Sequence, residues 1–316
     1  MLLKKLETFV PRTPVCEWPT LALILGVSVA WSGLVALSGA MPIWIALPLA
    51  ALAVTLHSSL QHEVLHGHPT RHGWINEALV YFPIGLFIPY RRFKSLHLQH
   101  HNNDRLTDPY DDPESFYLAW ADWQRLPRPI HLILVANNTL AGRLTIGPAV
   151  SLVGFYGSEI RLLLQGHEKV WNAWMHHALG LLPVLWFVSQ IAGLPIWLYV
   201  LSIAYPGMCL LMLRTYAEHR AHVCPEARSI IVESCPVFSF LFLNNNLHVV
   251  HHSHPQVPWY RLPGLYQARK TAWKRRNGDY VFKGYGALAR QYLFKVKEPV
   301  VHPLVGNQTP ESRRIG

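Results

Sequence analysis

Three short histidine clusters in this chain have a spacing that can bind metal. They are His62-Glu-Val-Leu-His66, His97-Leu-Gln-His100-His101 and His248-Val-Val-His251-His252. Residues three or four positions apart share one face of an α-helix, so each cluster predicts a stripe of imidazoles. Neutral imidazole nitrogens that converge bind transition metals.

The number of histidines favours more than one metal ion. A tetrahedral zinc site uses three or four protein ligands, whereas the three clusters supply at least eight. Ligation by nitrogen suits iron, copper, nickel or zinc better than magnesium or calcium. The sequence therefore predicts a site for two transition-metal ions.

The composition argues against a water-soluble globule and against a disordered chain. Of the 316 residues, 51% are hydrophobic and 15% are charged, with a mean hydropathy of +0.15; soluble domains have about 25% charged residues. The 19 histidines outnumber the 18 acidic residues. No pair among the four cysteines has zinc-site or redox spacing, and no disulfide framework is implied.

Two long stretches, 18–62 and 170–213, contain no Asp, Glu, Lys or Arg. Each is about twice the ~20 residues of one membrane crossing, which predicts two helical hairpins with turns at 38–42 and 192–195. The expected fold is an all-α integral membrane protein with four transmembrane helices, at 20–38, 42–61, 171–191 and 195–213. A soluble protein with long buried helices is the alternative.

Lys and Arg lie only outside the hairpins, so the positive-inside rule places both termini in the cytoplasm. A cytoplasmic helical cap, 62–169 and 214–316, would then carry the histidine clusters within a single domain, 1–316. Met1–Val15 lacks the apolar core of a cleaved secretory signal. We expect a multi-pass protein of a bacterial inner membrane. The apolar segments 78–90 and 130–155, which contain Pro or Gly, predict interfacial or re-entrant helices.

The three clusters resemble the histidine boxes of the membrane fatty acid desaturase and hydroxylase superfamily. Their order and their placement around two hairpins are similar too, from about Ala22 to Leu265. The third box also has a similar Asn-rich lead, Asn244–Asn246, and a Pro-rich tail that ends in Leu262-Pro263.

The resemblance implies a non-haem di-iron centre held almost wholly by histidine, with no catalytic residues beyond the metal ligands. A further ligand histidine follows the fourth span in several members; His219 matches best and His222 is the competitor. The implied ligands are His62, His66, His97, His100, His101, His219, His248, His251 and His252.

The resemblance further implies O₂ as co-substrate and a fatty acyl chain or related lipid as substrate. Desaturation is expected; lipid or alkane hydroxylation and carotenoid oxygenation are alternatives. The chain has no flavin, dinucleotide, iron–sulfur or haem motif, so a separate electron donor is expected. The resemblance implies that this donor is a ferredoxin, rubredoxin or cytochrome b5, supplied by NAD(P)H. The net charge of +10 and the basic run 269–276 fit an acidic carrier or anionic lipid, and nucleic-acid binding is not expected.

Several features leave alternatives open. The His62-Glu63-x-x-His66 pattern also matches zinc proteases, with Glu63 as general base, but leaves the other boxes unexplained. The acidic loop 104–114 could orient ligand imidazoles or be a solvated turn, and Asn244–Asn246 could contact a ligand or cap a helix. His68 is an extra histidine of unassigned role. A metal-binding transporter or sensor is the non-enzyme alternative.

Overall fold

The computed structural model describes residues 16–305, and the protein is mostly helical (65%). This confirms the largely helical character that the sequence predicts. One small addition is a parallel pair of strands, β1 (Ile231–Val232) and β2 (Val281–Phe282). The predictions for the N-terminal segment 1–15 and for the tail 306–316, including the cytoplasmic position of both termini, lie outside the described residues.

The helices vary from long apolar rods to single turns. They are α1 (Trp18–Ala36), α2 (Ile43–Leu65), α3 (Gly73–Leu79), α4 (Tyr90–His101), α5 (Trp120–Arg125), α6 (Arg128–Asn137), α7 (Leu140–Thr145), α8 (Gly147–Leu164), α9 (Glu168–Trp186), α10 (Ile196–Tyr199), α11 (Tyr205–Glu218), α12 (Pro236–Leu241), α13 (His248–Ser253), α14 (Leu262–Ala268), α15 (Lys270–Arg276) and α16 (Tyr285–Tyr292).

The first predicted hairpin is formed by α1 and α2. Pro19 lies in the first turn of α1, where its missing N–H is not needed, and Pro42 directly precedes α2. Ala50 and Ala53 of α2 are buried in one apolar cluster with Val35 of α1. Small side chains at such positions let two helices approach closely.

The second hairpin is helical but less regular. α9 continues into a π-helical turn, Phe187–Ile191, and a second π-helical turn, Val200–Ala204, joins α10 to α11. Between the two arms, Gly193 has φ +63°, a conformation that glycine adopts without strain.

Within the described residues, three helices are long and apolar enough to cross a membrane: Trp18–Ala36, Ile43–Leu65 and Ile196–Glu218. The remaining predicted span, 171–191, is helical but is not among them. Its helix begins with Glu168 and Lys169 and contains His176 and His177, which lower its apolar character. The four-span topology therefore stays a prediction.

Backbone contact at Gly207 holds α2 against α11. A Cβ on Gly207 would lie 2.8 Å from Val54 Cγ1 and 3.0 Å from the carbonyl oxygen of Ala51. The Thr55 hydroxyl donates a hydrogen bond to the Gly207 carbonyl at 2.9 Å. This contact fixes the two helices that end next to the first histidine box and next to His219.

Residues 80–89 are irregular, which corrects the expectation of a helix over 78–90. Proline at 83 and 89 lacks the N–H that a helix needs. Three carbonyls of the segment accept hydrogen bonds from side chains of neighbouring helices: Tyr199 to Ile84 (2.6 Å), His177 to Leu86 (2.8 Å) and Tyr156 to Phe87 (2.8 Å). Irregular backbone inside a membrane bundle needs such partners. The other predicted segment, 130–155, is helical and is divided among α6, α7 and α8.

The C-terminal elements cover the end of the bundle where α2 and α11 terminate. Tyr285 and Leu288 of α16 are buried with Leu60 of α2 and Leu213 of α11 in one apolar cluster. α16 is thus joined to α2 and α11 by a shared apolar core.

Replacing Gly207 with alanine should lower the thermal unfolding temperature of the purified protein in detergent. The added methyl group would overlap Val54 and the Ala51 carbonyl, and overpacking costs about 1–3 kcal/mol of unfolding free energy. Gly26→Ala in α1 is the matched control, because a Cβ there meets no atom within 4 Å. Equal unfolding temperatures for the two variants would contradict this packing.

Candidate metal centre

The first two histidine boxes lie at helix C-termini. His62 is in the last turn of α2 and His66 is its C-cap, followed by Gly67 at φ +102°. α4 begins directly after Pro89, and its last turns carry the second box. A helix C-terminus has a partial negative charge that attracts cations.

His219 and the third box are placed by backbone pairing around β1. α11 ends at Glu218, and His219 takes an extended conformation (φ −129°, ψ 154°). The Val232 N–H donates to the Asn246 carbonyl at 2.8 Å, and the Val249 N–H donates to the Ile230 carbonyl at 3.2 Å. These bonds set the position of α13, which carries the third box.

The structure brings all nine predicted ligand histidines into two adjacent groups. Within each group the candidate nitrogen atoms all lie within 4.8 Å of one another. The first group is His62, His66, His97, His101 and His251, and the second is His100, His219, His248 and His252.

Ring nitrogens within each group are as close as nitrogens that share a metal ion. His219 Nε2 lies 3.1 Å from His100 Nε2 and 2.9 Å from His248 Nε2. His252 Nε2 is 3.1 Å from His248 Nε2, and His101 Nε2 is 3.2 Å from His251 Nε2. Two nitrogens bound at right angles to one ion about 2.1 Å away are roughly 3.0 Å apart. The spacing therefore fits ligands of a shared ion.

Outer hydrogen bonds orient three of these imidazoles with their Nε2 lone pairs facing inward. Carboxylate and amide oxygens only accept, so the Nδ1 atoms bonded to them carry the proton. The pairs are His97 Nδ1 to Glu114 (2.8 Å), His100 Nδ1 to Asp112 (2.7 Å) and His248 Nδ1 to Asn245 (3.0 Å). The bonds from Glu114 and Asp112 agree with the interpretation that the acidic loop 104–114 orients ligand imidazoles. Of the three asparagines that precede the third box, Asn245 is the one bonded to His248.

Other nitrogens of the first group are buried without a hydrogen-bond partner. They are Nε2 of His62, His66 and His97 and Nδ1 of His101, which have no hydrogen-bond partner among residues 16–305. Buried polar atoms without a partner are costly. Three of these four atoms are Nε2 nitrogens that a metal ion would satisfy, so the residues fit a metal ion.

Most of the candidate ligand imidazoles outside the membrane spans have a pKa below the usual value and are neutral at pH 7. Burial, and then the charge of neighbouring histidines, lowers the pKa of His101 to about 2 and holds the pKa of His219 and His251 well below the usual value. Burial also lowers the pKa of His100, but Glu114 and Asp112 outweigh it and raise that pKa to about 9. The same carboxylates would favour a metal cation at this imidazole.

His219 lies within the second group, whereas His222 does not. The Nδ1 atom of His222 accepts a hydrogen bond from the Cys224 backbone N–H at 3.1 Å, and this histidine is more exposed than His219. Lys297 donates from Nζ to the His219 carbonyl at 2.7 Å, a contact that no sequence pattern signals.

The contacts of the Glu63 carboxylate do not match the general-base role that a zinc protease would require. It accepts the Trp259 backbone N–H at 2.9 Å and lies 3.8 Å from His68 Nε2. The other ring nitrogen of His68 lies 2.8 Å from Glu17. His68 and these two glutamates form a separate buried group beside the first box.

Sequence reasoning also missed a charged pair behind the third box. Arg214 and Glu218 form a 2.8 Å ion pair, and Glu218 accepts a hydrogen bond from Asn245 at 3.2 Å. The available signal was their spacing of four residues at the end of an apolar stretch, where charges are expensive and mark function.

Asp112→Asn should weaken metal binding by about 10- to 100-fold, the usual effect of losing an outer partner of a ligand histidine. An amide interacts less strongly than a carboxylate with the Nδ1–H of His100. The measurement is iron affinity of the purified protein by competition with a chelator. Asp111→Asn is the matched control, because Asp111 pairs with the exposed Arg105; equal losses in both variants would contradict this role.

His219→Ala should reduce the metal content from two ions per chain to about one, because it removes one of four nitrogens from the second group. His222→Ala, the same change three residues away, should leave two ions. Elemental analysis of both purified proteins checks this. The reverse pattern would assign the ligand to His222.

Comparison with known families identifies the chain. The fatty acid desaturase family model matches residues 38–284, a range that contains all nine histidines and more than half of the chain. No curated protein matches it. The match confirms the resemblance drawn from the histidine boxes, and the chain belongs to the fatty acid desaturase family.

Proposed function

We propose that this protein oxidises a fatty acyl chain or related lipid with O₂ at a di-iron centre, by desaturation. The observation that carries the proposal is the pair of adjacent histidine groups at the end of an apolar helical bundle. One group would hold each ion. When bound, the two iron ions would supply O₂-dependent removal of hydrogen from an unactivated C–H bond.

Nitrogen ligation favours iron over several other metals. Five histidines in the first group exceed the four ligands of a structural zinc site, and magnesium and calcium prefer oxygen ligands. A redox-active ion also suits a site next to hydrocarbon, where the available substrate is a lipid.

The chain's own residues would position the ligands and exclude water. His62, His97, His100, His248 and His251 are each 4% exposed or less, so the centre is shielded from solvent. Glu114, Asp112 and Asn245 hold Nδ1 protons away from the metal side. Such a preorganised, dry site strengthens electrostatic interactions and limits side reactions.

The balanced reaction requires an external donor. Desaturation takes two hydrogen atoms from adjacent carbons, and with two electrons and two protons one O₂ becomes two waters. A ferredoxin, rubredoxin or cytochrome b5, reduced by NAD(P)H, would supply the electrons.

The basic helix α15 is a candidate docking surface for this carrier. Its Trp273 contacts His254 just beyond the third box, with ring centroids 5.8 Å apart. Contact with anionic lipid head groups is its other use.

Hydroxylation is the second candidate reaction. It would leave one oxygen atom in the product and release one water for the same two electrons. It is favoured by the acidic, Pro-rich loop 104–114, which resembles the loop that follows the second histidine box in some alkane-hydroxylase-like members of the superfamily. The contacts of this loop with His97 and His100 place it beside the metal centre and suit either reaction. We place the protein in a bacterial inner membrane, with the metal centre on the cytoplasmic side.

Lipid profiles of a host that expresses the wild-type protein should contain an alkene or alcohol that is absent with His252→Ala. The purified wild type should contain about two iron ions. The product identifies both the substrate and the reaction, because an alkene indicates desaturation and an alcohol indicates hydroxylation.

His222→Ala is the control for this experiment and should keep the product. Two findings together would contradict the enzyme proposal and favour a transporter or sensor. The purified protein would contain no iron, and its cellular function would survive both His100→Ala and His251→Ala.

A further inference from the structure

His57 lies within α2, and the structure shows no hydrogen bond from its imidazole to any of residues 16–305. Its side chain lies in one of the candidate membrane spans, and the residue is 6% exposed. An ionisable residue at such a position is expensive and marks a functional site. His57 precedes His62 by five residues, which is about 7.5 Å along the helix and roughly 140° around it. It belongs to neither metal group.

Two cavities meet at this side chain. One, of about 200 Å³, lies between α1, α2 and α9, where Trp31, Pro183 and Phe187 form part of the wall. The other, of about 80 Å³, lies between α2 and α11, with Gly207 in its wall. His57 lines both. The smaller cavity also reaches Gln61, the residue before the first ligand of the metal centre.

Several other polar groups around these cavities have partners inside the protein, whereas the hydroxyls of Ser32 and Ser58 line the cavities beside His57 as further polar groups. The Ser28 hydroxyl donates to the Ile24 carbonyl at 2.9 Å. Trp31 donates to the Tyr199 hydroxyl at 2.9 Å, and Tyr199 donates to the Ile84 carbonyl at 2.6 Å. Buried polar groups are almost always satisfied. The imidazole of His57 is therefore available to a ligand in the cavities.

Both cavities are also bordered by the irregular parts of the second hairpin. Phe187 begins the first π-helical turn and lines the larger cavity; Ala204 ends the second and lines the smaller one. π-helical turns inside α-helices are rare and occur frequently at functional sites.

We infer that His57 recognises a hydroxyl or carbonyl group carried part-way along the apolar chain of the lipid substrate. A neutral imidazole can donate to a carbonyl or accept from a hydroxyl. Apolar walls on both sides would take the chain segments that flank the polar group. This inference rests on the proposed function, since it names a substrate class for the same site: oxygen-bearing lipids rather than plain acyl chains.

Binding of stearate and of a series of monohydroxystearates to the full-length protein tests the inference. Isothermal titration in detergent under nitrogen measures binding without turnover. At least one hydroxy isomer should bind the wild type about tenfold tighter than stearate does, as one hydrogen bond in a dry site can provide. His57→Leu should abolish the preference, and His57→Gln, which keeps a donor and an acceptor, should retain part of it.

His72→Leu, the same substitution at an exposed histidine outside the cavities, is the matched control and should keep the full preference. Equal wild-type affinity for stearate and for every hydroxy isomer would overturn the inference, even if His57→Leu did not fold. A preference that survives His57→Leu would also overturn it. Failure of the proposed function would instead appear as absent iron or absent product and would leave the binding preference intact.

Discussion

The close approach of nine imidazoles is the constraint on which the rest of this structure depends. Nitrogens of neutral rings lie 2.9–3.2 Å apart in several pairs, and other buried nitrogens have no partner in the described part of the chain. Such a pair is satisfied only when one of the two rings carries its proton on the facing nitrogen, and the removal of partnerless nitrogens from water is costly. A shared cation satisfies nitrogens of both kinds, so the surrounding protein must hold the rings in place for one.

Rigid contacts between long helices provide that support. Gly207 lets α2 and α11 touch along their backbones, so the two helix ends that carry His62 and His219 have a fixed separation. β1 and the residue before it, Ile230, then position the third box through hydrogen bonds to Asn246 and Val249. Because each box lies at or near the end of a packed element, a small shift in any one helix would move several ligands together.

The irregular segment 80–89 links the membrane bundle to the metal centre. It leads directly into α4 and the second histidine box, and its residues also line both of the cavities that share His57. Its carbonyls are satisfied by Tyr199, His177 and Tyr156, because no water is available to irregular backbone inside a bundle. The segment 80–89 thus affects both the position of the second histidine box and the shape of the two cavities that His57 lines.

The sequence by itself determined the histidine boxes and the apolar hairpins, because helical spacing and uncharged runs are local patterns. It did not reveal that His100 and His101, neighbours in the chain, lie in different candidate metal groups. The two side chains are about 100° apart around α4, and only the facing helices decide what each one contacts. The position of His219 inside the second histidine group and of His222 outside it depends on contacts between residues distant in sequence. The pairing of Asp112 with His100 and the position of His57 beside the two cavities likewise depend on tertiary contacts. Such contacts are fixed by tertiary packing, which no local pattern records.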